Sequence, residues 1–279
     1  MVGIDKLREY LGDFSANYVI IGGTACNLNL EEADLQGRAT KDVDMIVICE
    51  AISHEYVRQF WAFIKAGGYM TYRINTEAET KPVFYRFVEP ANVSFPAYIE
   101  LFSRQPDGIR FPEDVHVVRI NMDEDYLSGF SAILMDDDYY HYAVAHSRGI
   151  AGIQTLDKDA LIVLKAKAYL NNKKRKHEGQ RVHQDDIDKH KKDIYRLFYL
   201  FSGEERYDLS EGIKADLMDF LAALRTDPVS TKAIARAMGV MEVQMNDFIQ
   251  KIEEIFRLKN ALSRRRLMKG TIRILLENK

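Results

Sequence analysis

Two aspartates one residue apart, and a pair of glycines behind a short apolar run, are the residues of this chain best suited to chemistry. Asp42 and Asp44 flank Val43 in Arg38-Ala39-Thr40-Lys41-Asp42-Val43-Asp44-Met45-Ile46-Val47-Ile48. Side chains alternate faces along a strand, so both carboxylates project to one side while Val43 points away. Carboxylates that close repel unless a cation lies between them. Mg²⁺ fits, because it prefers hard oxygens and is usually held by one or two carboxylates plus substrate phosphates. A triphosphate-using enzyme needs that arrangement, with one or two metal ions. The plainer alternative is a strand that ends in polar residues at a solvent edge, and for an Asp-x-Asp taken alone it is the better reading.

The glycines change that balance. In Tyr18-Val19-Ile20-Ile21-Gly22-Gly23-Thr24-Ala25 an apolar strand breaks at Gly22-Gly23 and a helix is expected to start near Thr24. Glycine lets the backbone approach a phosphate closely, and the first N–H groups of a helix are unpaired donors. Thr24 would either cap that helix or donate its hydroxyl to phosphate. No Gly-Lys-Ser/Thr closes the segment, so it is not a P-loop, and the third glycine of a dinucleotide fingerprint is missing. Phosphoryl or nucleotidyl transfer is the chemistry to which the two features point together.

Three further groups stand out. Glu100 sits in the apolar run Tyr98-Ile99-Glu100-Leu101-Phe102. It would either join Asp42 and Asp44 on the metals, accept a proton from the attacking hydroxyl, or simply face solvent on an edge strand. Lys165, in Leu161-Ile162-Val163-Leu164-Lys165-Ala166-Lys167-Ala168, is a lysine in a strongly apolar helix, and a triphosphate is its natural counter-charge. Lys167 is the alternative, and snorkelling to water the plain reading of both. Asp193 follows Lys189-His190-Lys191-Lys192, with Lys189, Asp193 and Arg196 on one helical face. It would position Lys165 or the nucleotide, or else form an ordinary surface ion pair.

These elements need a frame to position them. The spacing of apolar residues predicts a lead-in helix (Ile4, Leu7, Tyr10, Leu11), strands at 18–21 and 43–48, and a helix around Val57, Phe60, Trp61 and Ile64 stopped by Gly67-Gly68. A β-rich stretch runs from Tyr69 to about Leu134, with neighbouring strands at 83–88 and 98–102 and further candidates at 115–119 and 131–134. After Asp136 the pattern is almost wholly helical, with a polar, basic connector from Asn171 to Gln184. The expected architecture is α+β: an α/β domain of mixed sheet and helices over residues 1–135, and a helical bundle over 136–279 completing the cleft.

Composition sets bounds on partners. The chain has 279 residues, 47% hydrophobic and 29% charged, which suffices for a full core. Its formal charge of −3 excludes a protein that binds nucleic acid over its whole surface, so any RNA contact must be local. Lys173-Lys174-Arg175-Lys176 and Arg264-Arg265-Arg266 are the basic runs that would provide it, although solvated charge is the commoner explanation of such runs. Cys26 and Cys49 read as free thiols in a reducing cytosol, and the absence of an apolar leader or a bilayer-length apolar run points to a cytoplasmic protein without membrane contact. Residues 230–240 look like the start of a helix-turn-helix, but the following segment carries Glu242 and Asp247 and no basic residue before Lys251. A plain helix pair is therefore favoured, and DNA reading is not.

Taken in order, Ile21-Gly22-Gly23-Thr24-Ala25, Arg38-Ala39-Thr40-Lys41-Asp42-Val43-Asp44, Leu164-Lys165-Ala166-Lys167-Ala168 and Lys189-His190-Lys191-Lys192-Asp193-Ile194 resemble the AbiEii/MenT-like nucleotidyltransferases. These belong to the polymerase-β-like nucleotidyltransferase superfamily, and many are toxins of toxin–antitoxin or phage-defence systems. The resemblance spans about residues 18 to 200. It implies a nucleotidyltransferase fold in which Gly22, Gly23 and Thr24 contact an NTP triphosphate and Asp42 and Asp44 bind Mg²⁺. Arg38 and Thr40 match the lead into the aspartates, with Arg38 in reach of phosphate. By the same resemblance Lys165 neutralises phosphate, Asp193 is the essential acid of the last block, and Glu100 is a weaker carry-over as third carboxylate. The implied reaction transfers a nucleotide to a hydroxyl of tRNA or protein, and a cognate antitoxin is the implied partner. A non-catalytic binding protein on the same fold and an antibiotic-type small-molecule nucleotidyltransferase are the alternatives.

Overall fold

The computed structural model describes residues 3–75, 80–104, 117–119 and 131–258. The basic run Arg264–Arg266 and the first two residues of the strand expected at 115–119 lie outside them. The described chain is mixed α/β and divides into two compact units, Met1–Leu161 and Ile162–Lys279.

The first unit is built on β1 (Tyr18–Ile21), whose four residues are all buried. An uninterrupted apolar strand of this kind needs a hydrogen-bonded neighbour on each side and cover on both faces. On one side runs β2 (Asp42–Val47), antiparallel to β1, with Ile21 opposite Asp44. Outside β2 lies β5 (Tyr98–Ser103), parallel to it, pairing Asp42 with Tyr98 and Asp44 with Glu100. The other flank of β5 is shared. β4 (Thr80–Val88) runs antiparallel along Tyr98 to Glu100, and β7 (Ser131–Leu134) runs parallel at Phe102 and Ser103. A hairpin partner, β3 (Met70–Asn75), extends β4, and β6 (Val117–Arg119) extends β7.

Three helices belong to this sheet's early half and middle. α1 (Ile4–Leu11) buries Ile4, Leu7 and Leu11, and α2 (Gly22–Glu32) links β1 to β2. α3 (His54–Gly67) starts where Ser53 Oγ accepts the Tyr56 amide at 3.1 Å and stops where Gly68 adopts the left-handed conformation at φ 64°. Its buried Tyr56, Phe60 and Phe63 pack in an aromatic cluster; the Phe60 and Phe87 ring centroids are 5.6 Å apart, edge to face.

Past residue 136 the chain departs from the helical expectation. α4 (Asp137–Ala145) is followed by β8 (Ser147–Ile150) and β9 (Ile153–Leu156). The turn between them, Ala151-Gly152, has positive φ at both residues (50° and 76°), the backbone that lets a two-residue hairpin match the strand twist. β9 then lies parallel to β1 on its remaining side, giving the sheet order β3-β4-β5-β2-β1-β9-β8. The second neighbour that buried β1 requires therefore comes from beyond the expected boundary at 135, and the first unit extends to Leu161.

The second unit is helical among its described residues. α5 (Lys158–His177) crosses the division, and α6 (Gln184–Leu197), α7 (Glu211–Thr226), α8 (Thr231–Met238) and α9 (Met245–Ile255) follow. The expected connector 171–184 is shorter than its composition suggests, because α5 continues through the basic run to His177 before Gly179 turns the chain at φ 82°. Lysine and arginine are good helix formers, and their charge suits a helix C-terminus. Ile194 on α6, Phe220 on α7 and Phe248 on α9 are buried, and the Tyr195 and Phe248 ring centroids lie 5.3 Å apart. Between α8 and α9 the chain is held by the Tyr195 and Tyr199 hydroxyls, which donate to the Val243 and Met241 carbonyls at 2.6 and 2.8 Å. No described helix is long and apolar enough to cross a membrane.

Candidate active site

Pairing of β1 with β2 brings the two motifs together. Ile21 closes β1 opposite Asp44, and the next residue, Gly22, turns into α2 with φ 69°, a conformation that disfavours any side chain. A Cβ placed on Gly22 would lie 2.1 Å from Asp44 Oδ2, so the carboxylate occupies the space that only glycine leaves. A Cβ on Gly23 would lie 2.8 Å from Arg38 Nη2 and 3.2 Å from Thr40 Oγ1. Five of the expected residues, Gly22, Gly23, Arg38, Thr40 and Asp44, thus meet around one turn.

That turn is also the N-terminus of α2, and no side chain of its N-cap residue, Ile21, closes it. Helix N-termini present N–H donors and a partial positive charge, so an anion fits there. Thr24 serves differently from either expectation. Buried at 2% exposure, it donates its hydroxyl to the Asp42 carbonyl at 2.5 Å and ties the first turn of α2 to the start of β2. Asn27, one turn further, donates Nδ2 to the Arg38 carbonyl at 2.6 Å and holds the loop that carries Arg38 and Thr40. The sequence reading missed Asn27; α2 also carries Thr24, Asn29, Glu31 and Glu32, so polarity alone did not single it out.

Asp42 is exposed and Asp44 half-buried, with Val43 buried between them, so the alternation expected of the strand holds. Glu100 lies beside Asp44 on the neighbouring strand and between the buried Ile99 and Leu101. It is not left to the aspartates. Its Oε1 accepts a hydrogen bond from Arg86 Nε on β4 and a second from the Tyr98 hydroxyl at 3.2 Å. Burial, and then the neighbouring Glu100 charge, holds the Tyr98 phenol well above its ordinary value, so it remains a proton donor. Among the described residues no group of three or more His, Cys, Asp or Glu side chains is gathered as a metal cage. Arg86 and Tyr98 were invisible to the motif reading; the signal for Arg86 is its place opposite Glu100 in the antiparallel β4–β5 register.

The remaining expected residues form a cluster of their own in the second unit. Lys165, 4% exposed, donates Nζ to Asp193 Oδ2 at 2.8 Å, and Arg196 Nη1 donates to Asp193 Oδ1 at 3.1 Å. Asp193 is therefore a buried carboxylate held between two cations, as burial of a charge requires. Lys167 pairs instead with Asp216 at 2.7 Å. Lys189 turns away to Asp186 at 2.9 Å in a partly exposed pair of the ordinary kind. Lys191, 3% exposed, bonds Asp188 and Asp227 and lies 5.8 Å from the Tyr169 ring centroid, which makes it a structural lysine of this unit.

No protein-family model matches the chain, and no curated protein matches it either.

The donor set around the turn fits a hydrated divalent cation and a polyphosphate. Asp42 and Asp44 offer hard oxygens on one face, and the α2 N-terminus with Arg38 offers donors and positive charge to an anion. The space over Gly22 lets Asp44 stand directly above the turn.

Proposed function

We propose that the chain is a Mg²⁺-dependent nucleotidyltransferase that moves the nucleotide of an NTP onto a hydroxyl of RNA, with tRNA as the leading acceptor, or of protein. The observation that carries this reading is the closure of Gly22 by Asp44, which sets a helix N-terminus and a paired carboxylate at one point of the sheet. Neither feature is specific alone. Their union serves a triphosphate and its cation. The mixed sheet, with β2 antiparallel to β1 and parallel to β5, supports a nucleotidyltransferase fold for the first unit.

In this reading the first N–H groups of α2 and Arg38 hold the phosphates, and Asp42 and Asp44 hold the cation. Bound Mg²⁺ would supply neutralisation of the phosphate charge. Thr24 and Asn27 tie α2 to the start of β2 and to the loop before it through their bonds to the Asp42 and Arg38 carbonyls. The acceptor oxygen attacks the α-phosphorus in line, forming one P–O bond as the bond to pyrophosphate breaks. Lys165 and Asp193 enter only through the resemblance, which assigns the lysine to phosphate. A toxin role with a cognate antitoxin rests on the same resemblance.

One pair of observations favours a second reading, a nucleotide-binding protein without transfer: Glu100 and Lys165 both already engage protein counter-charges. Incubation with Mg²⁺ and each labelled NTP in turn, with and without total tRNA, separates the two. Label in tRNA or protein from the wild type, and none with Asp42→Ala, is the result expected of the transferase. Tight Mg-NTP binding without label in any acceptor would favour the binding protein.

A further inference from the structure

Where α5 gives way to α6, residues 173–185 hold five of the chain's 39 lysines and arginines and two of its 42 acids. That is a formal +3 on a chain of −3, and all of these residues except the half-buried Val182 are exposed. Buried and half-buried lysines of the second unit have carboxylate partners, as Lys165, Lys167 and Lys191 show. At this bend the cations meet neutral groups instead. Arg175 Nε donates to Gln180 Oε1 at 2.8 Å, and Lys176 Nζ donates to Gln184 Oε1 at 2.7 Å. The Lys173 ammonium lies 5.7 Å from the Tyr169 ring centroid, and Arg181 bonds no carboxylate among the described residues. Lys174 has Glu178 at 3.8 Å, an exposed pair worth little. The acids that follow are committed elsewhere, Asp186 to Lys189 and Asp188 to Lys191. Cations favour a helix C-terminus, but that preference fades beyond the last turn and does not account for Arg181.

We propose that this bend is the docking surface for the RNA acceptor and grips its sugar–phosphate backbone. The inference rests on the reading of the chain as a transferase that acts on RNA. No exposed side chain between 173 and 185 is apolar. A protein partner needs an apolar centre within its polar rim, and seating on a bilayer needs apolar side chains beside the basic ones. A phosphate chain needs neither, because each neutralised phosphate releases counterions and affinity grows with the number of contacts. Successive helical residues lie about 100° apart, so Lys173 to Lys176 spread around α5 rather than along one face. They can meet a backbone from more than one side. Such contacts position a nucleic acid and carry no sequence information, so the surface holds the acceptor without choosing its bases.

Fluorescence anisotropy of labelled total tRNA with the full chain, without NTP, tests this apart from any turnover. Arg175→Gln/Lys176→Gln/Arg181→Gln should weaken binding about tenfold or more at low salt and lower the slope of log affinity against log salt by about 2. Lys232→Gln/Arg236→Gln/Lys251→Gln removes as many exposed cations from α8 and α9 and should stay within about threefold of the wild type. All six side chains are exposed, so both variants should fold, which their melting temperatures would check. Asp42→Asn should bind tRNA as the wild type does, so a failure of transfer and a failure of docking are read separately. Equal losses in the two triple variants would make the attraction a matter of net charge and overturn the proposal. No loss in the bend variant, or a wild type that binds no tRNA, overturns it as well. Polyglutamate or phosphatidylserine vesicles held as tightly as tRNA through the same three cations would assign the surface to another partner. Docking of tRNA at the bend with no label transferred from any NTP would uphold the RNA surface and count against the transferase.

Discussion

Asp44 owes its position to a missing side chain. The φ of 69° at Gly22 and the 2.1 Å gap between its hypothetical Cβ and Asp44 Oδ2 make that glycine a condition of the site. Gly22→Ala should cost about 1–2 kcal/mol of stability from the left-handed backbone alone. It should also push the Asp44 carboxylate aside, so nucleotide binding is expected to fall further than the melting temperature suggests. Thermal unfolding and calorimetric titration with a non-hydrolysable NTP would show the two effects separately. Thr24→Val keeps the shape and removes the bond to the Asp42 carbonyl, with an expected loss of about 1 kcal/mol. The glycines and aspartates were legible because alternation and turn chemistry are local properties. The tasks of Thr24 and Glu100 were not. Their partners, a carbonyl 18 residues away and an arginine on the next strand, are fixed only once the strands have paired.

At the scale of elements, the buried Lys165–Asp193–Arg196 group ties α5 to α6. Removing one partner of a buried pair leaves an uncompensated charge, so Lys165→Ala should destabilise the chain by about 3–5 kcal/mol, tempered by Arg196. Lys165→Met together with Asp193→Leu should recover part of that loss in denaturant unfolding, because it removes both charges of the buried pair and leaves only the less buried Arg196 without its carboxylate. A double variant no more stable than Lys165→Ala would show that the pair is not the source of the effect. This structural demand also means that lost activity in Lys165 variants cannot be assigned to phosphate binding unless their stability is measured beside it. The apolar spacing located α1 and α3 and the strands around residues 83–88 and 98–102, and the pattern after Asp136 announced the helices of the second unit without their bounds. It missed β8 and β9, since Ser147-Arg148-Gly149-Ile150 offers neither alternation nor the continuous apolar run that marked β1. The need for a second neighbour on β1 was the only hint of them, and that need is topological.

For the molecule as a whole, the sheet of the first unit is fastened at both ends of β2. One end carries Asp42 and Asp44. Past the other, Glu50 accepts hydrogen bonds from Arg104 and from the Tyr140 hydroxyl, each at 2.5 Å, joining the chain after β5 and α4 to β2. Burial pushes the Glu50 carboxyl up, but those two bonds outweigh it and hold the group at about 2, against an ordinary 4.5. The folded value lies below the unfolded one, so the stabilisation is fully present above pH 4.5 and is lost as pH falls toward 2. Glu50→Gln should therefore flatten the acid limb of a stability–pH curve in that window, and its difference from the wild type should shrink toward pH 2. A constant offset between the two curves would assign Glu50 no titrating role.

The central claim is that the Gly22 turn and the Asp42–Asp44 pair form one site for a triphosphate and its Mg²⁺. Calorimetric titration of a non-hydrolysable NTP in the presence of Mg²⁺ into the wild type, Asp42→Asn and Asp44→Asn tests it most directly. The account expects saturable binding by the wild type with one NTP per chain, dependent on Mg²⁺ and weakened roughly tenfold or more in each folded variant. Binding that is equal in all three proteins, or absent from a folded wild type with every NTP, would contradict it.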